Sequence, residues 1–207
     1  MGKKIITIAR QTGSGGHEIG ERLAEKLNIP FHDKNIIDKA LKDLNLTAED
    51  ADSIDETAFS HIHNVIFTGF HRFYGTNTPY YMAEYSDDIN EQTYKIQSHY
   101  IKELAEHGPC VIVGRCAGYL LKKREDVLNV FICADEADRI ERMMKVRGMN
   151  PERAEHVVKT TDKDRKIYYE HHTEKKWAAP ENYDLVLNVS RLGMDKVVEI
   201  LAGLCEV

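Results

Sequence analysis

Within nine residues, Arg10-Gln11-Thr12-Gly13-Ser14-Gly15-Gly16-His17-Glu18 brings together a guanidinium, two hydroxyls, an imidazole and three glycines. The stretch stands between the β-branched run Ile5–Ala9 and a helical pattern in which Ile19, Leu23 and Leu27 recur four residues apart, with Ala24 beside them. A strand, a glycine turn and a helix start in immediate succession aim several backbone N–H groups, and the positive end of the helix dipole, at one small concavity. The chemistry expected there is the holding of phosphate, with the amides of Gly13 to Glu18 as donors.

Set against the phosphate-loop pattern G-x-x-x-x-G-K-[ST], Arg10 stands at the first glycine, Gly15 at the second, Gly16 at the lysine and His17 at the hydroxyl that holds Mg²⁺. Only Gly15 fits. The expectation therefore rests on backbone geometry, and the charge normally supplied by the lysine must come from another residue or be absent. Losing one such contact can cost on the order of 3 kcal/mol in the transition state, about a hundredfold in rate. Arg10 is the cation nearest in sequence to the lysine's role.

Two more groups reach the same chemistry from other strands. The apolar run Cys110-Val111-Ile112-Val113 ends in Gly114-Arg115, and an arginine at that edge can grip a phosphate through two parallel hydrogen bonds or stand on the surface without a ligand. Asn28-Ile29-Pro30-Phe31-His32-Asp33 reads as a turn and a short strand, so Asp33 either meets a ligand or caps the helix expected from about Asn35 to Leu44. A basic series at Arg139, Arg142, Lys145, Arg147, Arg153, Lys159 and Arg165 crosses a helical region interrupted by Gly148 and Pro151. It is either a solvated charged hairpin or a flap over polyphosphate. His61 and His63 diverge on a helix and are not expected to share a metal.

The elements that must position these residues alternate in type. Strands are expected at Ile5–Ala9, Pro30–His32, Val111–Val113, Val130–Cys133 within the apolar run from Val127, and Leu185–Val189. Helices are expected between them, including Ile89–His107, one from Asp135 or Glu136, one from Pro151 and one over Met194–Leu204. Such alternation predicts a parallel sheet. A net charge of -6 argues against a nucleic-acid footprint. No run of eighteen apolar residues and no secretory leader pattern occurs, so a cytoplasmic protein without membrane partners is expected. Cys110, Cys116, Cys133 and Cys205 lack zinc or redox spacing and read as reduced thiols. The aromatic stretch 59–85 is either lobe core or a homo-oligomer contact.

Arg10 through Gly20, Val111-Ile112-Val113-Gly114-Arg115, and Asp162-Lys163-Asp164-Arg165 followed by Tyr183-Asp184-Leu185-Val186 together resemble the cytidylate kinase-like family, relatives of the nucleoside monophosphate kinases. The resemblance covers essentially the whole chain. It implies a three-layer α/β/α fold of the P-loop NTPase type with a five-stranded parallel sheet in one domain over 1–207. Its core would comprise 1–34, 89–144 and 177–207, with a helical monophosphate-binding lobe at about 35–88 and a lid at about 145–176. The implied activity is phosphoryl transfer from ATP, with Mg²⁺, to a nucleoside monophosphate such as CMP or dCMP. Gly13, Ser14, Gly15, Gly16, His17 and Glu18 would hold ATP, with His17 or Ser14 reaching the metal directly or through water beside Asp33. Arg10, Arg115, Arg142, Arg147 and Arg165 would serve the transfer, and Asp33, Arg115 and Asp164 the acceptor. Cytidylate kinases proper carry a loop lysine and an acidic base-reading residue after Gly-Arg, where this chain has Gly16 and Cys116. A kinase for another small acceptor, or a non-catalytic nucleotide- or anion-binding module, are the alternatives.

Overall fold

The computed structural model describes residues 4–33 and 87–205. The helix expected from about Asn35 to Leu44, the paired histidines and the aromatic stretch 59–85 lie outside them. The chain divides into two compact units, one of Met1–Asp33 with Ile101–Val207 and one of Lys34–Tyr100.

The first unit is built on five parallel strands: β1 (Ile5–Arg10), β2 (Phe31–His32), β3 (Cys110–Val113), β4 (Val127–Cys133) and β5 (Leu185–Asn188). Their spatial order is β2-β3-β1-β4-β5. β1 thus lies at the centre, paired with β3 from Ile5↔Cys110 to Ile8↔Val113 and with β4 from Ile5↔Val127 to Arg10↔Ile132. The strands on either side of β1 are reached by connections running in opposite directions, and the crevice at their carboxyl ends is where open α/β sheets bind ligands. Arg10, Asp33 and Arg115 stand at the carboxyl ends of β1, β2 and β3 and so reach this edge.

Among the described residues the helices are α1 (Gly16–Leu27), α2 (Asp87–His107), α3 (Ala117–Leu120), α4 (Glu136–Arg147), α5 (Pro151–Thr173), α6 (Val189–Leu192) and α7 (Met194–Gly203). Ile19, Leu23 and Ala24 of α1 and Val197, Val198 and Leu201 of α7 bury one sheet face with Ile6, Ile8, Val111, Val113, Leu128, Val130 and Ile132. Each of the valine, leucine and isoleucine side chains contributes roughly 1.5–3 kcal/mol by leaving water. On the opposite face, Phe131 meets the Trp177 and Tyr183 rings at centroid distances of 5.3 and 5.0 Å. The buried Thr7 hydroxyl donates to Asn129 Oδ1 at 2.9 Å, so a polar residue inside β1 is satisfied from β4.

Local chemistry sets the helix limits. Asn28 closes α1 in the left-handed region (φ 54°), a conformation asparagine tolerates better than most side chains. Pro151 occupies the first turn of α5, and Asn150 caps it by accepting from the Arg153 amide at 2.9 Å. α5 then continues without a break through Asp162–Lys166 to Thr173. The last strand stops one residue short of the expected Val189 because Asn188 turns to cap α6, accepting from the Arg191 amide at 3.3 Å.

Candidate active site

β1 delivers its chain to a turn in which Gly13 (φ 78°) and Gly15 (φ 83°) both lie in the left-handed region. Gly13 has a second constraint, since a Cβ there would sit 2.5 Å from the Arg139 carbonyl oxygen of α4. The turn is stitched to its surroundings by its own polar groups. The Gln11 amide donates to Ile132 O at 3.0 Å, its side-chain oxygen accepts from the Ala134 amide at 3.2 Å, and buried Ser14 donates to Gln11 O at 2.8 Å.

A buried ion pair clamps the same turn from α4 and α5. Asp162 accepts from the Thr12 amide at 2.7 Å and from Arg139 Nη1 at 2.6 Å, while Arg139 also donates to Thr12 O at 3.3 Å. The Arg139 and Asp162 side chains are 9% and 15% exposed, so solvent screens little of this attraction. Arg165, one turn along α5, donates to Arg10 O and to Thr12 Oγ1, both at 3.1 Å. Arg139 and Asp162 are the residues that sequence reasoning passed over. In the sequence Arg139 belongs to a basic series indistinguishable in composition from a solvated face, and Asp162 lies two residues from Asp164, to which the resemblance gives the acceptor role. Asp164 itself is partly buried on α5.

At the mouth of the turn, α1 starts at Gly16 with no side-chain cap, because Gly15 at the cap position has none to offer. The first-turn amides of a helix have no partner within it, so a glycine-capped start presents them to an anion. His17 Nε2 donates to Asp33 Oδ2 at 2.9 Å, and Nδ1 lies 3.4 Å from Glu21. The bond to Asp33, reinforced by the charges of Glu21 and Asp33, holds His17 above its ordinary value. Nε2 is thus committed to Asp33 and Nδ1 stands beside Glu21, and an imidazole nitrogen is in any case a poor ligand for a hard cation. Glu18 pairs with Arg142, whose Nη1 also reaches Met194 Sδ at 3.4 Å. Arg147 lies at the exposed end of α4.

The end of β3 turns through three consecutive left-handed residues, Gly114 (φ 89°), Arg115 (φ 54°) and Cys116 (φ 56°). Two of them carry side chains, a local cost of the kind that collects at ligand sites. Arg115 is held with its guanidinium carbon 5.4 Å from the centroid of Tyr168 on α5. Cys116 is buried, and that burial pushes its thiol up to about 12. Beside it, Gly114 lies against the Arg10 guanidinium. Arg10, Arg115, Arg165, His17 and Asp33 are thus gathered by β1, β3, α5, α1 and the end of β2 around one crevice edge.

Among the described residues no three His, Cys, Asp or Glu side chains group to hold a metal, and no helix is long and apolar enough to cross a membrane.

A central parallel sheet with a glycine turn feeding α1 at its carboxyl edge, and arginines converging on that turn, defines a P-loop kinase fold. The chain belongs to the cytidylate kinase-like family, whose model matches residues 5–191. A solved structure of an uncharacterized protein from Eubacterium ventriosum is similar over 97% of both chains, with 26% identity and a TM-score of 0.70. Shikimate kinase from Bacteroides thetaiotaomicron shares the fold at 15% identity and a TM-score of 0.53, covering 97% of both chains. A gluconokinase from Sinorhizobium meliloti does so at 18% identity and 0.51, over 98% of this chain and 91% of its own. No curated protein matches the sequence.

Proposed function

We propose that this chain transfers the terminal phosphoryl group of ATP to a small phosphorylated acceptor, with CMP or dCMP as the first candidates. The observation that carries the reading is the glycine-capped start of α1, left without a side-chain cap at the carboxyl edge of the central strand. Amides from Gly13 to Glu18 would hold the donor phosphates, and Arg115 the acceptor phosphate. Arg142 would exchange Glu18 for a phosphate oxygen when ATP binds, and Arg147, at the start of the region about 145–176 that the resemblance reads as a lid, would add its charge. Arg165, committed to the Arg10 carbonyl and Thr12, acts by holding the turn in shape. Phosphoryl transfer asks for this kind of alignment and charge neutralisation more than for covalent help.

Mg²⁺ commonly binds through one or two carboxylates together with substrate phosphates, so Asp33 and the ATP oxygens suit it better than His17 does. Its chemistry there is to offset charge on the phosphates. Asp33 and Asp164 would serve the acceptor. The setting proposed is cytoplasmic, with a small nucleotide as partner and neither a membrane nor a nucleic-acid polymer.

One observation favours a second acceptor class. Where cytidylate kinases carry an acidic residue to read the base, this chain has the buried neutral thiol of Cys116, which cannot act as a carboxylate. A coupled ADP-release assay with ATP, Mg²⁺ and a panel of nucleoside monophosphates, extended to phosphorylated and hydroxylated non-nucleotide acceptors, separates the readings. Turnover with CMP or dCMP supports the first, and turnover only with a non-nucleotide supports the second. ATP binding without ADP release under every acceptor would leave a non-catalytic nucleotide-binding module.

A further inference from the structure

Gly16 needs no special backbone, since it opens α1 in an ordinary helical conformation. What it lacks is room. A Cβ at this position would lie 2.6 Å from Arg10 Cβ and 3.0 Å from Arg10 Cγ. Carbon atoms in contact sit at about 3.5–4.0 Å, so the two positions cannot both carry a side chain as they stand. β1 cannot yield easily, being paired with β3 on one side and β4 on the other. At the far end of the same side chain, a Cβ on Gly114 would fall on Arg10 Nη1. Arg10 therefore lies in a slot floored by two glycines, its stem over Gly16 and its guanidinium over Gly114. That course runs from the uncapped start of α1 to the neighbour of Arg115. The positive charge is also felt by His17, whose protonation Arg10 opposes.

The usual loop has the reverse arrangement, with glycine where this chain has Arg10 and lysine where it has Gly16. Each sequence has one cation and one glycine at this pair of positions, and in this chain the space between them admits only one stem. We infer that Arg10 is the phosphate-binding cation of this loop, moved from the start of α1 to the end of β1, with Gly16 and Gly114 glycine to let it pass. The guanidinium brings a planar fork instead of a point charge, suited to two phosphate oxygens at once. The inference rests on the kinase reading for its ligand and on the slot alone for its sterics.

The test is a swap. Arg10→Gly, Gly16→Lys, Arg10→Gly/Gly16→Lys and Arg10→Ala/Gly16→Lys are compared with the unaltered chain by thermal melting, by calorimetric titration with MgATP and by turnover. Gly16→Lys should lower the melting temperature by about 4 °C or more when Arg10 is present. That penalty should disappear with glycine at position 10 and persist with alanine, whose Cβ still blocks the slot. Arg10→Gly should weaken MgATP binding at least about tenfold, a loss of roughly 1.4 kcal/mol, and Arg10→Gly/Gly16→Lys should restore it to within about threefold. Equal penalties for Gly16→Lys whether position 10 carries arginine or glycine would overturn the slot. A swapped variant that melts normally yet binds MgATP no better than Arg10→Gly would overturn the role of Arg10. If the unaltered chain itself binds no MgATP, the kinase reading and the phosphate role fall together, whereas the melting data still decide the sterics.

Discussion

Removing Asp162 should damage the protein out of proportion to its distance from any reacting atom. Replacing it with alanine deletes an acceptor for the Thr12 amide at 2.7 Å and for Arg139 at 2.6 Å, and leaves the Arg139 charge, 9% exposed, without that partner. Breaking a buried pair from one side costs about 3–5 kcal/mol, most of it from the stranded ion. For a chain of this size each kcal/mol moves the melting temperature by roughly 2–4 °C, so a fall of about 10 °C is expected in a calorimetric or circular-dichroism melt. Asp162→Asn should fall between, because an amide oxygen can still accept from Thr12 while the charge opposite Arg139 is gone. The combination Arg139→Met/Asp162→Leu removes both ions and should recover a large part of the loss. A shift of less than about 2 °C for Asp162→Ala would refute the idea that this pair clamps the glycine turn.

Other outcomes follow from single contacts. His17 is held above 6.5, so its bond to Asp33 adds stability that is fully present below that pH and fades as pH rises through the folded-state value. The melting-temperature gap between the unaltered chain and His17→Gln should therefore be widest near about pH 5.5 and narrow by about pH 8.5. The gap should correspond to under about 1 kcal/mol, because the ring is 47% exposed. Gly118→Ala would drive a Cβ into the Asn129 side chain, which accepts from Thr7 at 2.9 Å and donates to Asn182 O at 2.7 Å. A loss of about 2–4 kcal/mol in chemical denaturation is expected, and a near-neutral result would mean that Asn129 can repack. Cys116, raised to about 12, and Cys110, raised to about 11, should resist thiol reagents at neutral pH in the folded chain and react once it is unfolded in denaturant. Labelling of Cys116 in the native state at the rate of an exposed thiol would contradict its burial.

Much of the scaffold could be read before any coordinates. Ile5–Ala9, Cys110–Val113 and Val127–Cys133 are apolar runs of strand length because a parallel sheet covered on both faces asks for apolar residues at successive positions. Ile19, Leu23 and Leu27 announce α1 through helical spacing, and Pro151 marks the start of α5 because a first-turn residue needs no N–H. Gly13 and Gly15 likewise identify the turn, being where left-handed backbone is cheapest. These are local properties, carried by neighbours within one or two turns of chain. Arg139, Asp162 and Arg165 acquire meaning only when α4 and α5 fold back onto Thr12, across 127, 150 and 153 residues of sequence. No periodicity distinguishes an arginine buried against a carboxylate from one in water. Gly16 is the sharpest case. As a sequence feature it is a missing lysine, and only the packing of β1 against α1 reveals that the place is already taken by the stem of Arg10. Spacing along the chain determines which backbone can form, whereas exclusion of one atom by another is settled by which elements meet.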